Sequence, residues 1–313
     1  MAKNPLGKEI GAVCCVFNPV RFKSRLGNYV LFREGIERVG IRLLTVELAF
    51  GDTPFQLDDG PDVLRLRGGD VMWQKERLLQ IGGECLLAEG YSGLVFLDAD
   101  ILFQDEKWPL RVADALNRYP TVQCFSLAVR NYSDKVDCAR SAVKAWQEEG
   151  RLPGSAKGFA WAMRADLFAS AGLYQHCAVG GGDSALSLAA LGLAHGPDAW
   201  RETLSSQAFI RRAGPTMLAH YQGWAGRFFR SAGEVAGHVG GTIEALAHGP
   251  SDHRRYVDRH EILAGFDPEQ EVAAVEGGAF VWTDAGELRR EPVRLYFQDR
   301  REDLPGLRFP PPA

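Results

Sequence analysis

Short apolar runs of strand length alternate along this chain with stretches whose apolar residues recur at helical spacing, and that alternation restricts the fold more than any other feature. Residues 11–17 (GAVCCVF) and 42–48 (RLLTVEL) are continuous runs of the kind that strands covered on both faces require. Between them Phe32, Ile36 and Val39 recur at helical intervals, and Gly40 provides a left-handed stop. The pattern predicts a second helix over 73–87, closed near Gly90, and then a strand over 93–97 (GLVFL). Pro109 suits the first turn of a further helix, with Leu110, Ala113 and Leu116 facing inward. Strands are predicted over 121–127 and 158–163. Strand, helix, strand in repetition gives an α/β, Rossmann-like fold, a mostly parallel central sheet flanked by helices. Past residue 265 the texture changes. Residues 279–282, a turn at 283–286 and then 293–297 read as strand, turn, strand. The expected organisation is a main domain over 1–265 and an appendage over 266–313, a small β-hairpin and a loose, proline-rich tail.

Composition enters where it excludes something. A chain of 313 residues buries enough surface to fold without disulfide or metal staples. With 46% hydrophobic and 24% charged residues it is not a disordered chain. A net charge of −4 excludes a surface that is basic all over, as a protein coating nucleic acid needs, but not a polyanionic acceptor. No run approaches the ~20 apolar residues of a membrane span, and no secretion signal follows Met1. Cys14, Cys15, Cys85, Cys124, Cys138 and Cys177 form no CxxC pair and mostly sit in apolar runs, so reduced core thiols in a cytoplasmic protein are expected.

The sharpest local feature is Leu94-Val95-Phe96-Leu97-Asp98-Ala99-Asp100-Ile101-Leu102-Phe103. In parallel α/β sheets ligands collect beyond the carboxyl ends of strands, which is where Asp98 and Asp100 fall. If the strand continues, residues two apart point the same way and bring both carboxylates to one spot. Their repulsion calls for a cation, and a hard divalent ion with oxygen ligands would both relieve it and bridge a diphosphate leaving group. A solvated turn is the plainer account of the same residues.

Other segments fall in an ordered series around this one. Phe17-Asn18-Pro19 with Arg21 ends the first strand, and Trp73-Gln74-Lys75-Glu76-Arg77 opens the helix before the two aspartates. Lys157-Gly158-Phe159-Ala160-Trp161 and Asp166-Leu167-Phe168 follow, and then Gly180-Gly181-Gly182-Asp183. In order and spacing these resemble the nucleotide-sugar-dependent glycosyltransferases of the GT-A fold, most of all the galactosyltransferase and polypeptide N-acetylgalactosaminyltransferase type of catalytic domain. The resemblance spans roughly residues 11–266, with Gln74-Lys75 standing where that family carries an Asn-Arg pair.

The resemblance implies metal-dependent transfer of a sugar from a nucleoside-diphosphate-sugar, UDP-sugars foremost, to an acceptor hydroxyl. Asp98 would contact the ribose or the metal, and Asp100 and His248 would ligate the metal, with His220 and His238 as alternates. An oxygen and imidazole shell suits manganese better than magnesium. Asn18, Arg21, Glu47 and Lys75 are the candidate nucleotide contacts. Asp183 is the candidate catalytic carboxylate, a base for the acceptor or a partner of the donor sugar, although Asp at a helix start is also a common N-cap. Residues 201–260 hold 8 Lys or Arg against 5 Asp or Glu. Arg211, Arg212, Arg227, Arg230, Arg254, Arg255 and Arg259 could meet donor phosphates or an anionic acceptor, though for most of them a solvated face is expected. Trp224 and Phe228-Phe229, near Gly223 and Gly226, could form a mobile acceptor-side loop, but core is the expected reading. Two other classes stay open. One is a sugar-nucleotide-forming nucleotidyltransferase, which would need a glycine cluster that is missing after residue 17. The other is a nucleotide- or carbohydrate-binding module without turnover. The acceptor, whether polysaccharide, lipid, protein or modified nucleic acid, has no code in these residues.

Overall fold

The structure is a computed structural model that describes residues 8–132, 135–195, 212–247 and 249–303. Strand β1 (Ile10–Phe17) lies inside a seven-stranded sheet. Its alternate residues enter two cores, Ile10, Ala12 and Cys14 on one face and Val13 and Phe17 on the other, which is why the run is apolar without interruption. Helix α1 (Lys23–Val39) ends at Gly40, whose φ of 70° completes a left-handed cap. The chain continues through β2 (Arg42–Ala49), β3 (Val63–Arg67), α2 (Lys75–Ala88), β4 (Gly93–Leu97), β5 (Ile101–Phe103) and α3 (Trp108–Leu116). Next come β6 (Thr121–Gln123), β7 (Leu127–Asn131), β8 (Val136–Arg140), α4 (Ala142–Glu149), β9 (Ala160–Arg164) and α5 (Ala165–Ala171). Helices α6 (Gly182–Ala190) and α7 (Pro215–Ser231) are followed by β10 (Gly237–His238), β11 (Thr242–Ala245), β12 (Val272–Ala274), β13 (Phe280–Trp282) and α8 (Glu287–Asp299).

The main sheet has the order β10-β6-β9-β4-β1-β2-β3. Strands β1, β2, β3 and β4 run parallel, as β10 does to β6, while β9 runs antiparallel to β4 and β6. The fold is thus the expected α/β class with a mostly parallel central sheet. A second sheet, β5-β11-β7-β8, starts where β4 ends, and residues 98–100 form the turn between the two.

Three expectations are corrected. The run 121–127 is not one strand but β6 and β7 in different sheets, because the Cys124 amide bonds to Ala160 while the Ser126 amide bonds across to Gly241. Leu110 is 52% exposed rather than inward, since stacking of Trp108 on Phe103 at 4.0 Å sets which face of α3 is buried. Residues 293–297 belong to helix α8, and the C-terminal hairpin pairs β13 with β12 instead. Val293, Tyr296 and Phe297 share one helical face that is buried, and Leu295 between them is exposed.

Residues after 265 pack into the main core. Phe280, Trp282, Val293, Tyr296 and Phe297 share a cluster with Val13, Phe17 and Trp161. Gln74 ties the start of α2 to β13, donating to the Phe280 carbonyl at 2.8 Å and accepting its amide at 3.0 Å. The amide of Ser24 donates to Asp303 at 2.9 Å, a cap that Phe22 at the helix start does not supply. Trp224 and Phe228 are core residues of α7, and the six cysteines are free thiols. Among the described residues no helix is long and apolar enough to cross a membrane.

Candidate functional site

The carboxyl ends of β1 and β4 open on a cavity of about 560 Å³. The segment before β9 locks onto the end of β4, with the Asp98 amide donating to the Phe159 carbonyl at 2.8 Å and the Phe159 amide to the Asp98 carboxylate at 3.2 Å. Gly158 in that segment has no room for a side chain, because a Cβ there would meet the Asp183 carboxylate at 2.5 Å. Gly181 takes the N-cap position of α6, so Asp183 sits within the first turn and its carboxylate, rather than capping the helix, reaches into the cavity.

There it meets Lys75. The ammonium lies 2.5 Å from Asp98 Oδ1 and 2.7 Å from Asp183 Oδ1, bridging carboxylates carried by two separate elements. Burial alone would lower the Lys75 pKa, but Asp183, Asp98 and Glu76 outweigh it and hold the amine well above its ordinary value. One ammonium does not neutralise three carboxyl groups. Burial, with Asp183 and Asp100 adding repulsion, therefore keeps Asp98 above the ordinary carboxylate range despite its contact with Lys75.

Glu76 completes this group from the next position on α2. It is 6% exposed, and its Oε2 is buried without a hydrogen-bond partner. A Cβ on Gly182 would collide with this carboxyl, so glycine there is what admits it. Burial pushes Glu76 up to about 8, against the attraction of Lys75 and with the repulsion of Asp183 and Asp98. At neutral pH the group is mostly protonated, a hydrogen-bond donor in an acidic cluster. The folded state holds this proton more tightly than the unfolded chain, whose glutamate titrates near 4.5. Its contribution to stability is therefore fullest below that value and is lost as pH rises through about 8. Glu76→Gln, neutral at every pH, is expected to gain roughly 5 °C in melting temperature relative to the parent between pH 5 and pH 9. Parallel melting curves over that range would overturn this.

Of the residues singled out from the sequence, Asp98, Asp100, Asp183 and Lys75 come together on this cavity. Asp98 and Asp100 do so from a turn, not from a continuing strand, because the chain changes sheets between them and β5. Asn18, Arg21 and Glu47 do not line it. Asn18 closes the loop after β1 on both backbone groups of Phe22, at 3.0 and 2.9 Å. Arg21 donates to the Pro54 carbonyl at 3.0 Å, and Glu47 accepts the amides of Gln56 and Leu57. His248 lies outside the described residues. His220 bonds the Tyr174 hydroxyl at 2.9 Å and His238 bonds Gln147 at 3.0 Å, both away from the cavity. His260 does line it, and burial together with Arg259 and Arg212 lowers its pKa to about 3, leaving a neutral ring.

Among the described residues no group of three or more His, Cys, Asp or Glu side chains is arranged to hold a metal ion. Asp98 is already met by an ammonium and an amide. Asp98 and Asp100 are the described members of the expected manganese set, and its third member, His248, lies outside the described residues.

No family model matches the chain, and no curated protein matches it. Distant likeness exists among solved structures. A protein assigned as a nucleotide-diphospho-sugar transferase from Desulfovibrio desulfuricans G20 aligns at TM-score 0.36 and 12% identity, over 76% of this chain and 82% of its own. One assigned as a glucose-1-phosphate thymidylyltransferase from Bacillus anthracis aligns at 0.35 and 8%, over 82% and 95%. A glycosyltransferase involved in glycosylation of the major capsid of PBCV-1 aligns at 0.29 and 9%, over 90% and 98%. Scores this low carry no functional weight, so function has to come from the site.

The rest of the wall includes aromatic and cationic side chains. Trp73, just before α2, packs edge-on to Phe17 at 5.5 Å and stacks with Phe297 of α8 at 6.1 Å. The Arg300 guanidinium lies 5.0 Å from its ring and Arg259 lies 6.0 Å from it. Arg259, one of the arginines expected either to meet phosphates or to lie on a solvated face, is 7% exposed because Trp73, Tyr256 and Tyr296 enclose it. One signal was available: Val293, Tyr296, Phe297 and Arg300 recur at helical spacing, which puts the arginine on the core side.

Proposed function

We propose that this chain is a nucleotide-sugar-dependent glycosyltransferase that moves a sugar from a nucleoside-diphosphate donor, UDP-sugars foremost, to an acceptor hydroxyl. The supporting observation is the mixed lining of a single cavity at the strand ends. Asp98, Lys75 and Asp183 form a hydrogen-bonded row there, within a wall of eight Lys or Arg and six Asp or Glu. With Glu76 protonated the balance is positive, which favours a diphosphate, while the carboxylates suit sugar hydroxyls. In the reaction the acceptor oxygen bonds to the anomeric carbon as that carbon's bond to the diphosphate breaks, and the diphosphate leaves with the electron pair. Asp183, 44% exposed, is accessible to take the acceptor proton or to accept a hydrogen bond from the donor sugar.

The loop after β1 disfavours a nucleotidyltransferase. Its Arg21 amide is used by the Asn18 carbonyl and its Phe22 amide by the Asn18 side chain, so neither is free to cradle a triphosphate. Incubation with a panel of nucleotide sugars, in manganese and in EDTA, tests the reading and its metal dependence together. Release of nucleoside diphosphate and sugar is expected. Pyrophosphate formed from sugar phosphate and nucleoside triphosphate would replace this reading with the nucleotidyltransferase, and binding without turnover would replace it with a binding module. Asp183→Asn is expected to lower turnover about 10²-fold with UDP affinity preserved, and near-normal turnover would remove its role.

A further inference from the structure

Arg259 is a buried guanidinium with no carboxylate beside it among the described residues. Its Nη1 donates to the Tyr296 hydroxyl at 3.1 Å, and the rings of Tyr256 and Trp73 lie 5.3 and 6.0 Å from its Cζ. Its Nε is buried with no hydrogen-bond partner. Ring contacts return about 0.5–2 kcal/mol, less than the several kcal/mol that burying an unpaired ion costs. The nearby carboxylate is already shared, since Glu302 meets Arg300 at 2.5 Å and also pairs with Arg25. Gly180, at φ 88°, packs against the guanidinium, where a Cβ would approach Arg259 Nη2 to 3.2 Å. Backbone turn, aromatic flanks and phenol thus hold a forked cation in the cavity wall and leave the place of its counter-anion to a ligand.

We propose that Arg259 is the diphosphate subsite of this cavity, binding the donor's leaving group through its guanidinium fork without a bridging metal ion. The proposal rests on the nucleotide-sugar reading. Planar N–H pairs match two oxygens of a phosphate, and the charge becomes compensated when the ligand enters. Tyr296 is a positioning residue here. It receives Arg259 at 3.1 Å and Arg300 at 3.0 Å and passes its own hydrogen toward the Arg254 carbonyl at 3.3 Å, so α8 sets the fork's direction.

Calorimetric titration of the full chain in EDTA with inorganic pyrophosphate, UDP and uridine tests this. Pyrophosphate and UDP are expected to bind. Arg259→Gln is expected to weaken both by about tenfold or more, while uridine binding stays unchanged. Arg259→Lys keeps the charge and loses the fork, so it is expected to fall between, and it carries the test if the glutamine variant does not fold. Equal weakening of uridine, affinity indifferent to Arg259, or binding only after a divalent ion is added would overturn the proposal. UDP binding that ignores Arg259 removes the subsite and keeps the donor reading. Pyrophosphate binding that depends on Arg259, with no UDP binding, keeps an anion subsite and removes the donor.

Discussion

Replacing Lys75 by methionine is expected to lower the melting temperature by roughly 10 °C at pH 7 and to reduce transfer by at least about 10³-fold. Removing one partner of a buried ion pair costs about 3–5 kcal/mol, mainly through the charge left behind. Here the loss is concentrated on Asp98, whose side chain is 20% exposed, while Asp183 at 44% is partly compensated by solvent. Without the ammonium, Asp98 faces Asp183 and Asp100 alone, and its carboxyl, already raised, moves higher. The stability deficit of the variant should therefore shrink as pH falls toward 5, where the orphaned carboxyl takes up a proton. Lys75→Met combined with Asp98→Asn should recover most of the melting temperature and none of the transfer. Melting curves at two pH values and a turnover assay on both variants check this. An unchanged melting temperature at pH 7 would mean that water, not Lys75, balances the carboxylates.

How this cluster arises explains which parts of it the sequence could carry. Strands β1, β2 and β4 match their predicted runs closely, because a continuous apolar stretch flanked by helices has few other homes than a doubly covered parallel strand. Asp98 was legible for the same reason, as the first carboxylate past such a strand. The geometry of Asp100 was not, because the turn that carries it is fixed from far away, its carbonyl accepting the Leu246 amide at 2.8 Å. Lys75 was legible as a candidate but its contacts were not, since its two partners come from residues 98 and 183. Glu76 looks on paper like any acidic residue in a first helical turn. Only the docking of Gly182 against it makes it a buried, protonated group. At 293–297 the letters VRLYF satisfy both a period of two and a period of 3.6, and the core contact of Val293 with Tyr296 and Phe297 decides for the helix.

That helix carries the other large effect: ending the chain at Gly286 is expected to leave no folded protein. Val293, Tyr296 and Phe297 are at most 2% exposed, and burying each contributes about 1.5–3 kcal/mol, roughly 5–9 kcal/mol together. A domain's whole stability is only about 5–15 kcal/mol. The truncated chain would also expose Phe17 and Trp73, which lose Phe297 at 6.3 and 6.1 Å. Arg25 would lose Glu302 and the Ser24 amide would lose Asp303, so the start of α1 would fray at the mouth of the cavity. Arg259 would lose the phenol that aims it. Soluble yield, circular dichroism and a thermal melt of residues 1–286 give the answer directly. A detachable appendage predicts a cooperative melt near that of the full chain, with UDP affinity intact. An integral helix predicts that both are lost, because the residues that close the core are the same ones that build the cationic end of the cavity.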